Sequence, residues 1–284
     1  VRSRPVPAAS AEDSVGKLRV LAYNIAHGRG PTDGNWQGRS GQKRQRIRKI
    51  AQFIADANAD IVILNEVDFC STWSGHQNQA QAIAAEAGYP FWVEQRNFDF
   101  RFLYGNWKFG NAVLSKFPIA DAQWIEFPVY RPVEQTLAGS KQGTVCTLQL
   151  AAGQKVRVLA VHLEPRSEDI RVASTRNILA AEQQSDQPLI AAGDFNSTPA
   201  SFPQSESGRL GENALQIMIA SDRFNMDVPE AFLEERLTYS TSRPSRVIDW
   251  IAIPADWHFA DYRVATIGLS DHRPVIADVR LPGK

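Results

Sequence analysis

The segment Ile61-Val62-Ile63-Leu64 limits the fold more than any other part of the chain. It is an unbroken apolar run, opened by Asp60 and closed by Asn65-Glu66. A run without polar alternation suits a central strand covered on both faces. The carboxylate at its end is costly to bury unless a cation or hydrogen-bond donors meet it. The same form recurs. Leu18–Asn24 reads as a strand ending on a carboxamide, and Leu189–Ala192 is a buried strand that leads into Gly193-Asp194-Phe195-Asn196.

Helical spacing appears between these strands. Ile47, Ile50, Ala51 and Ile54 share one face of a helix over 42–58, and Lys43, Arg44, Arg46, Arg48 and Lys49 read as its solvated face. Further helices are expected over 77–87, over 168–184 with Ser167 as N-cap, and around 212–221. Strands are expected at 91–95, 110–115, 122–127, 247–253, 262–266 and 275–280. Residues 144–150 and 155–162 read as a hairpin around Ala152-Gly153. Two mixed β-sheets packed face to face, with helices outside, would bury all of these runs in a four-layer α/β sandwich. Residues 1–16, rich in Pro, Ala and Ser, read as a linker-like leader, and 17–284 as one domain. A secreted or membrane-anchored location follows if a signal once preceded that leader.

Composition narrows the function. Lys and Arg together number 31, as do Asp and Glu, so no global basic charge is available to hold nucleic acid nonspecifically. The two cysteines, Cys70 and Cys146, make neither a disulfide framework nor a thiolate metal site; both read as buried, free thiols. No run reaches the roughly 20 apolar residues of a membrane-spanning helix.

The chemistry lies at the strand ends. Asn24, Glu66, His162 and the Asp194/Asn196 pair close four strands, and Asp249 interrupts the apolar run Val247-Ile248-Asp249-Trp250-Ile251. Ser270-Asp271-His272 sits just before the last strand. Oxygen donors such as Glu66, Asp271, Asn24 and Asn196 suit Mg²⁺, Mn²⁺ or Ca²⁺. A cation among carboxylates with two histidines suits phosphoryl chemistry.

Seven segments then fall in a familiar order: Leu21-Ala-Tyr-Asn24, Ile63-Leu-Asn-Glu66-Val-Asp68, Gly110-Asn-Ala-Val-Leu-Ser-Lys-Phe-Pro118, Val161-His162-Leu, Ala192-Gly-Asp194-Phe-Asn196-Ser-Thr-Pro199, Ile248-Asp249-Trp-Ile and Ser270-Asp271-His272-Arg-Pro274. The chain resembles the endonuclease/exonuclease/phosphatase superfamily over 18–280. That superfamily includes deoxyribonuclease I-like nucleases, inositol polyphosphate 5-phosphatases and neutral sphingomyelinases. The resemblance implies a deoxyribonuclease I-like fold and a site with divided roles. Glu66 is then the principal metal ligand, assisted by Asn24 and Asp271. His272, oriented by Asp249, activates water or stabilises the phosphate. Asp194 positions or deprotonates the nucleophile, Asn196 binds phosphate or metal, and His162 donates to a phosphate oxygen or the leaving group.

Two departures bear on substrate. Asn65 stands where Gln is commoner, and Asn24-Ile-Ala-His27-Gly28 lacks the Trp that commonly follows the Asn in nucleases. The latter start resembles the sphingomyelinase side of the family. His27 is a candidate for the mouth of the site, and Asn111, Tyr104 and Arg101 are candidates for substrate contact. The aromatic segment 98–109 reads either as core or as a substrate- or lipid-facing loop. The resulting expectation is an Mg²⁺-dependent phosphodiesterase, monomeric and without a protein partner, acting on a lipid or small molecule ahead of nucleic acid. The alternatives are a nuclease, an inositol-phosphate phosphomonoesterase, and a catalytically silent binding module of the same fold.

Overall fold

Period-2 alternation sorts the strand residues into two faces, and both faces are buried. In the computed structural model, Val20, Ala22, Ile61, Ile63, Val113, Val158, Ala160, Ile190, Ala192, Ile251 and Ala277 meet in one core between two sheets. Their neighbours Leu21, Tyr23, Val62 and Leu64 point the other way, onto Ile47, Ile50, Ile54 and Ile83. Leu159, Val161, Leu189 and Ala191 point outward from the second sheet onto Ile178, Leu215 and Met218. The structure describes residues 2–3, 16–32, 34, 37–102, 105–129, 142–150 and 153–282.

The first sheet contains β1 (Arg2–Ser3), β2 (Lys17–Asn24), β3 (Ile61–Asp68), β4 (Phe91–Phe102), β5 (Gly105–Ser115), β12 (His258–Val264) and β13 (Val275–Arg280). Its order is β1-β4-β5-β3-β2-β13-β12. The second contains β6 (Ile119–Glu126), β7 (Gln142–Gln149), β8 (Lys155–His162), β9 (Leu189–Asp194), β10 (Phe224–Met226) and β11 (Asp249–Pro254), in the order β10-β11-β9-β8-β7-β6. Helices α1 (Ser40–Ala57) and α2 (Gln79–Glu86) cover the first sheet; α3 (Glu168–Gln183) and α4 (Ala214–Ala220) cover the second. This is the expected four-layer sandwich. Both sheets are mixed: β2 and β3 pair in parallel, as do β8 and β9. Each parallel pair is joined through a helix, α1 or α3, because parallel neighbours need a crossover connection. Each isoleucine that α1 buries contributes roughly 2–3 kcal/mol.

Some expectations change. Arg2–Ser3, within the linker-like leader, pairs with Phe91 and Trp92 as an edge strand; most of the rest of that leader lies outside the described residues. The aromatic segment 98–109 is neither loop nor plain core. It continues β4 and β5 as a long two-stranded ribbon, with Phe98 facing Phe109 and Phe100 facing Trp107 in register. Lys43 lies on the buried side of α1, since position 43 is one turn before Ile47. Cys70 is exposed, because β3 ends at Asp68 and the chain turns outward there; Cys146 is buried as expected. Ser167 occupies the N-cap position of α3 without a capping hydrogen bond from its side chain. No helix among the described residues is long and apolar enough to cross a membrane.

Candidate active site

The inward-facing series change character at one end of the sandwich. After Val20 and Ala22 comes Asn24; after Ile61 and Ile63, Asn65; after Val158 and Ala160, His162; after Ile190 and Ala192, Asp194. On β11 and β5, which run oppositely, Asp249 precedes Ile251 and Asn111 precedes Val113. Register does the rest. Asn24 lies opposite Asn65, and Asp194 lies opposite both His162 and Asp249. The two sheets therefore place their polar ends at one edge of a shared core.

A β-bulge adds Glu66 to this edge. Leu64 pairs with Ala112 and Val67 with Gly110, so Asn65 and Glu66 together oppose Asn111. Glu66 takes the left-handed conformation, φ 53°, which costs a non-glycine residue about 1 kcal/mol or more. Asn24 Nδ2 donates to Glu66 Oε1 and to Asp194 Oδ2, both at 3.2 Å, and so bridges the sheets. Below it, Asn65 donates to Asn111 Oδ1 and to the Val161 carbonyl, each at 2.9 Å. Gly193 must be glycine here. Its φ is 135°, and a Cβ would stand 2.2 Å from the Val161 carbonyl oxygen.

His272 Nδ1 lies 2.8 Å from Asp249 Oδ2, and the other ring nitrogen lies 3.7 Å from Asp194 Oδ2. The His162 ring nitrogen approaches the same Asp194 oxygen at 3.8 Å. Asp194, Asp249 and His272 thus bring three donor atoms within 4.8 Å of one another. The Tyr239 ring packs on His272 with centroids 4.8 Å apart. Asp249 is fixed in turn by Thr238 Oγ1, which accepts its backbone N–H at 3.2 Å. Ser270 anchors the preceding loop by donating to the Asn24 carbonyl at 2.7 Å. Asn196, at φ 51°, gives its backbone N–H to Asp194 Oδ1 and its side-chain amide to the Leu163 carbonyl. Glu168 holds the loop that follows, accepting from Ser197 Oγ and the Ala214 N–H while paired with the buried Arg171.

The charges respond to one another. Burial alone would raise the Glu66 carboxyl, but His27, His162 and His272 outweigh it, with help from the Asn24 amide, and hold it at about 2. Asp194 is raised, chiefly by burial and then by Asp249 and Glu66. His272 moves upward as well. Burial opposes its charge, but the Asp249 and Asp194 carboxylates prevail. The site therefore contains one firmly ionised carboxylate, one carboxylate that accepts protons readily, and one imidazole stabilised as the cation.

Not every candidate reaches this cluster by its side chain. The Asp271 carboxylate is paired through Oδ2 at 2.5 Å with Arg29, and its Oδ1 lies 3.3 Å from Ser270 Oγ. Asn111 is completely buried, its amide donating to Gln95 and Gln142, so it braces Asn65 beneath the site rather than facing substrate. His27 is 4% exposed, as buried as His272, and meets the cluster from within, its Nε2 3.3 Å from Glu66 Oε2. Arg101 is exposed on β4, six residues past Gln95 and so about 20 Å along the strand at ~3.3 Å per residue. Tyr104 lies outside the described residues. Three residues missed by sequence reasoning stand near the site: Arg29, Tyr239 and Arg246, whose guanidinium reaches the Asn196 carbonyl at 3.4 Å.

The order of these groups along the chain is matched by a family model. The model described as the endonuclease/exonuclease/phosphatase family matches residues 21–272. The chain belongs to this family. Its members are phosphoesterases, and the sandwich is their deoxyribonuclease I-like fold. An endonuclease/exonuclease/phosphatase from Beutenbergia cavernae is 22% identical with TM-score 0.73, over 95% of this chain and 72% of that one. The human Nocturnin catalytic domain with bound sulfate is 19% identical with TM-score 0.65, over 94% and 95%. A mannosyl-6-phosphatase from Bacteroides thetaiotaomicron is 17% identical with TM-score 0.66, over 93% and 100%. No curated protein is matched.

Proposed function

We propose that the protein is a divalent-cation-dependent phosphodiesterase acting on a lipid or small phosphorylated molecule. The observation that carries this reading is the Asn24 amide that joins Glu66 to the Asp249–His272–Asp194 array beside it. The donor set fits a hard cation. Glu66 and Asp271 would hold it through carboxylate oxygens, as Mg²⁺ requires, with Mn²⁺ or Ca²⁺ as substitutes. Such an ion, when bound, neutralises charge developing on the phosphoryl oxygens.

The remaining work falls to side chains. Asp194, raised by burial, takes the proton from an attacking water as its oxygen bonds to phosphorus. His272, kept cationic by Asp249, donates to a phosphoryl oxygen. The P–O bond to the leaving alcohol breaks on the opposite side, and His162 supplies its proton. Products are an alcohol and a phosphomonoester. Asn196, held against Asp194, binds the phosphate.

Three observations favour a lipid or small molecule. The chain is neutral overall. The Bacteroides thetaiotaomicron relative is a mannosyl-6-phosphatase. The β4–β5 ribbon, farther along the sheet, exposes Phe100 beside stacked Trp107, an apolar surface suited to a lipid chain that extends from the site. The test is turnover of bis-p-nitrophenyl phosphate, sphingomyelin, inositol phosphates and plasmid DNA, each with Mg²⁺ and with EDTA. Turnover of the first two that EDTA abolishes supports the reading. Plasmid nicking without lipid or small-diester cleavage overturns the substrate class, and EDTA-insensitive activity overturns the cation.

A further inference from the structure

His27 has no part in the steps above, yet the fold is distorted to place it. The strand β2 ends at Asn24, and the next residues turn the wrong way for L-amino acids. Ala26, His27 and Gly28 have φ values of 47°, 54° and 71°, three left-handed residues in a row. Two of them carry a Cβ, so the turn costs on the order of 1–2 kcal/mol for each and persists only where its surroundings impose it. They do. Asn24 Oδ1 accepts the Ala26 N–H at 3.1 Å, Gln79 Nε2 donates to the His27 carbonyl at 2.9 Å, and Arg46 donates to the Gly28 carbonyl at 2.8 Å.

The outcome is an imidazole directed at Glu66 from behind. Its Nδ1 is 2.8 Å from Asp68 Oδ1, and its Nε2 is 3.3 Å from Glu66 Oε2. Each ring nitrogen faces a carboxylate oxygen, so the ring is held between Asp68 and Glu66. Trp73 and Phe109 pack against it at 5.2 and 5.3 Å. Asp68, fully buried, is itself fixed: Trp73 Nε1 donates to its other oxygen at 2.8 Å, and Gln79 Oε1 accepts its backbone N–H at 2.9 Å. The single side chain of Gln79 thus ties the His27 backbone to the Asp68 backbone. Glu66 consequently meets a fixed side chain at each oxygen, the Asn24 amide at Oε1 and the His27 ring at Oε2.

We propose that His27 is a positioning residue for Glu66: anchored by Asp68, it sets the orientation of the carboxylate that receives the divalent cation. The inference rests on the reading of Glu66 as the principal cation ligand. Groups that orient a metal ligand typically contribute 10- to 100-fold to affinity, about that much being lost when they are removed.

Mn²⁺ binding, followed by the electron paramagnetic resonance signal of the free ion, tests this without reference to turnover. His27→Asn keeps an amide near the Nδ1 position, facing Asp68, and loses the contact with Glu66. His27→Gln reaches the Nε2 position and restores that contact through its side-chain amide. The dissociation constant should rise 10- to 100-fold in His27→Asn and return most of the way in His27→Gln. Saturating Mn²⁺ should recover turnover in His27→Asn, which damage to the fold would not permit. If His27→Asn does not fold, Asp68→Asn carries the test, with the same weakening expected. Wild-type affinity in His27→Asn, or in Asp68→Asn where that variant substitutes for it, overturns the positioning role if Glu66→Gln has lost the ion. Wild-type affinity in Glu66→Gln overturns the cation reading itself.

Discussion

Asn65 Oδ1, on β3 of the first sheet, accepts the backbone N–H of Asp194, on β9 of the second, at 3.0 Å. One carboxamide therefore joins the two sheets directly beneath the site. It is completely buried, and its amide satisfies Asn111 and the Val161 carbonyl as well. The strap sets the separation between Glu66 on one sheet and the Asp194–His272 array on the other.

Asn65→Ala should be costly for that reason. It strands a buried N–H, a carbonyl and a carboxamide oxygen, at 1–3 kcal/mol for each unsatisfied group, so a loss of roughly 3 kcal/mol or more is expected. Equilibrium urea denaturation at neutral pH measures it. A loss under about 1 kcal/mol would mean that the strap contributes little and that the sheets are held by their apolar core alone.

The sandwich was legible because alternation and β-branched runs specify buried strands, and because a polar residue that ends an inward-facing series, such as Asn24 or Asp194, lies where two sheets meet. The loop residues were not. Arg29, Tyr239 and Arg246 sit on segments with no periodicity to say which way a side chain points. His27 was visible as a residue next to the site, but the left-handed turn that buries it has no signature in Ala26-His27. Lys43 and Cys70 were misplaced by the opposite error, in which the general habit of a residue type was overruled by its position on a helix face or past a strand end.

The two cysteines should separate cleanly by reactivity. Burial pushes the Cys146 thiol up to about 12, whereas Cys70 is exposed. The thiolate is the reactive species, so iodoacetamide at pH 8 should label Cys70 in the folded protein and Cys146 only after denaturation. Peptide mass spectrometry reads both sites. Equal labelling of Cys146 in the folded state would place it outside the inter-sheet core.

Acid stability should depend in part on a cross-strand pair between β2 and β13 of the first sheet. The Arg19 side chain forks onto both oxygens of Asp278, at 2.5 and 2.8 Å. That hydrogen bonding, against a smaller effect of burial, lowers the Asp278 pKa in the folded state. A carboxylate with a depressed folded pKa stabilises at pH above its unfolded value of about 3.9, and the contribution is lost as pH falls through the lower folded value. The pair is partly exposed, so its worth is at most about 1 kcal/mol. Asp278→Asn should therefore be less stable than the parent at pH 7 and converge with it below about pH 3, as urea denaturation across that range would read. A difference that persists unchanged at low pH would show that the substitution is harmful for reasons other than charge.

Asp249→Asn tests the division of labour at the site. The carboxylate is 1% exposed and lies 2.8 Å from His272 Nδ1. The replacement keeps the shape and removes the charge that holds the imidazole as a cation. If His272 acts through that charge, kcat on bis-p-nitrophenyl phosphate should fall by about 10²- to 10⁴-fold, with KM changing far less. His272→Gln should fall as far, and the double variant should be little worse than either single one, because groups that act as a unit are not additive. Full additivity in this cycle would mean that Asp249 and His272 serve separate steps. A wild-type kcat in Asp249→Asn would remove the pair from the mechanism and leave Asp194 and His162 as the groups that handle protons.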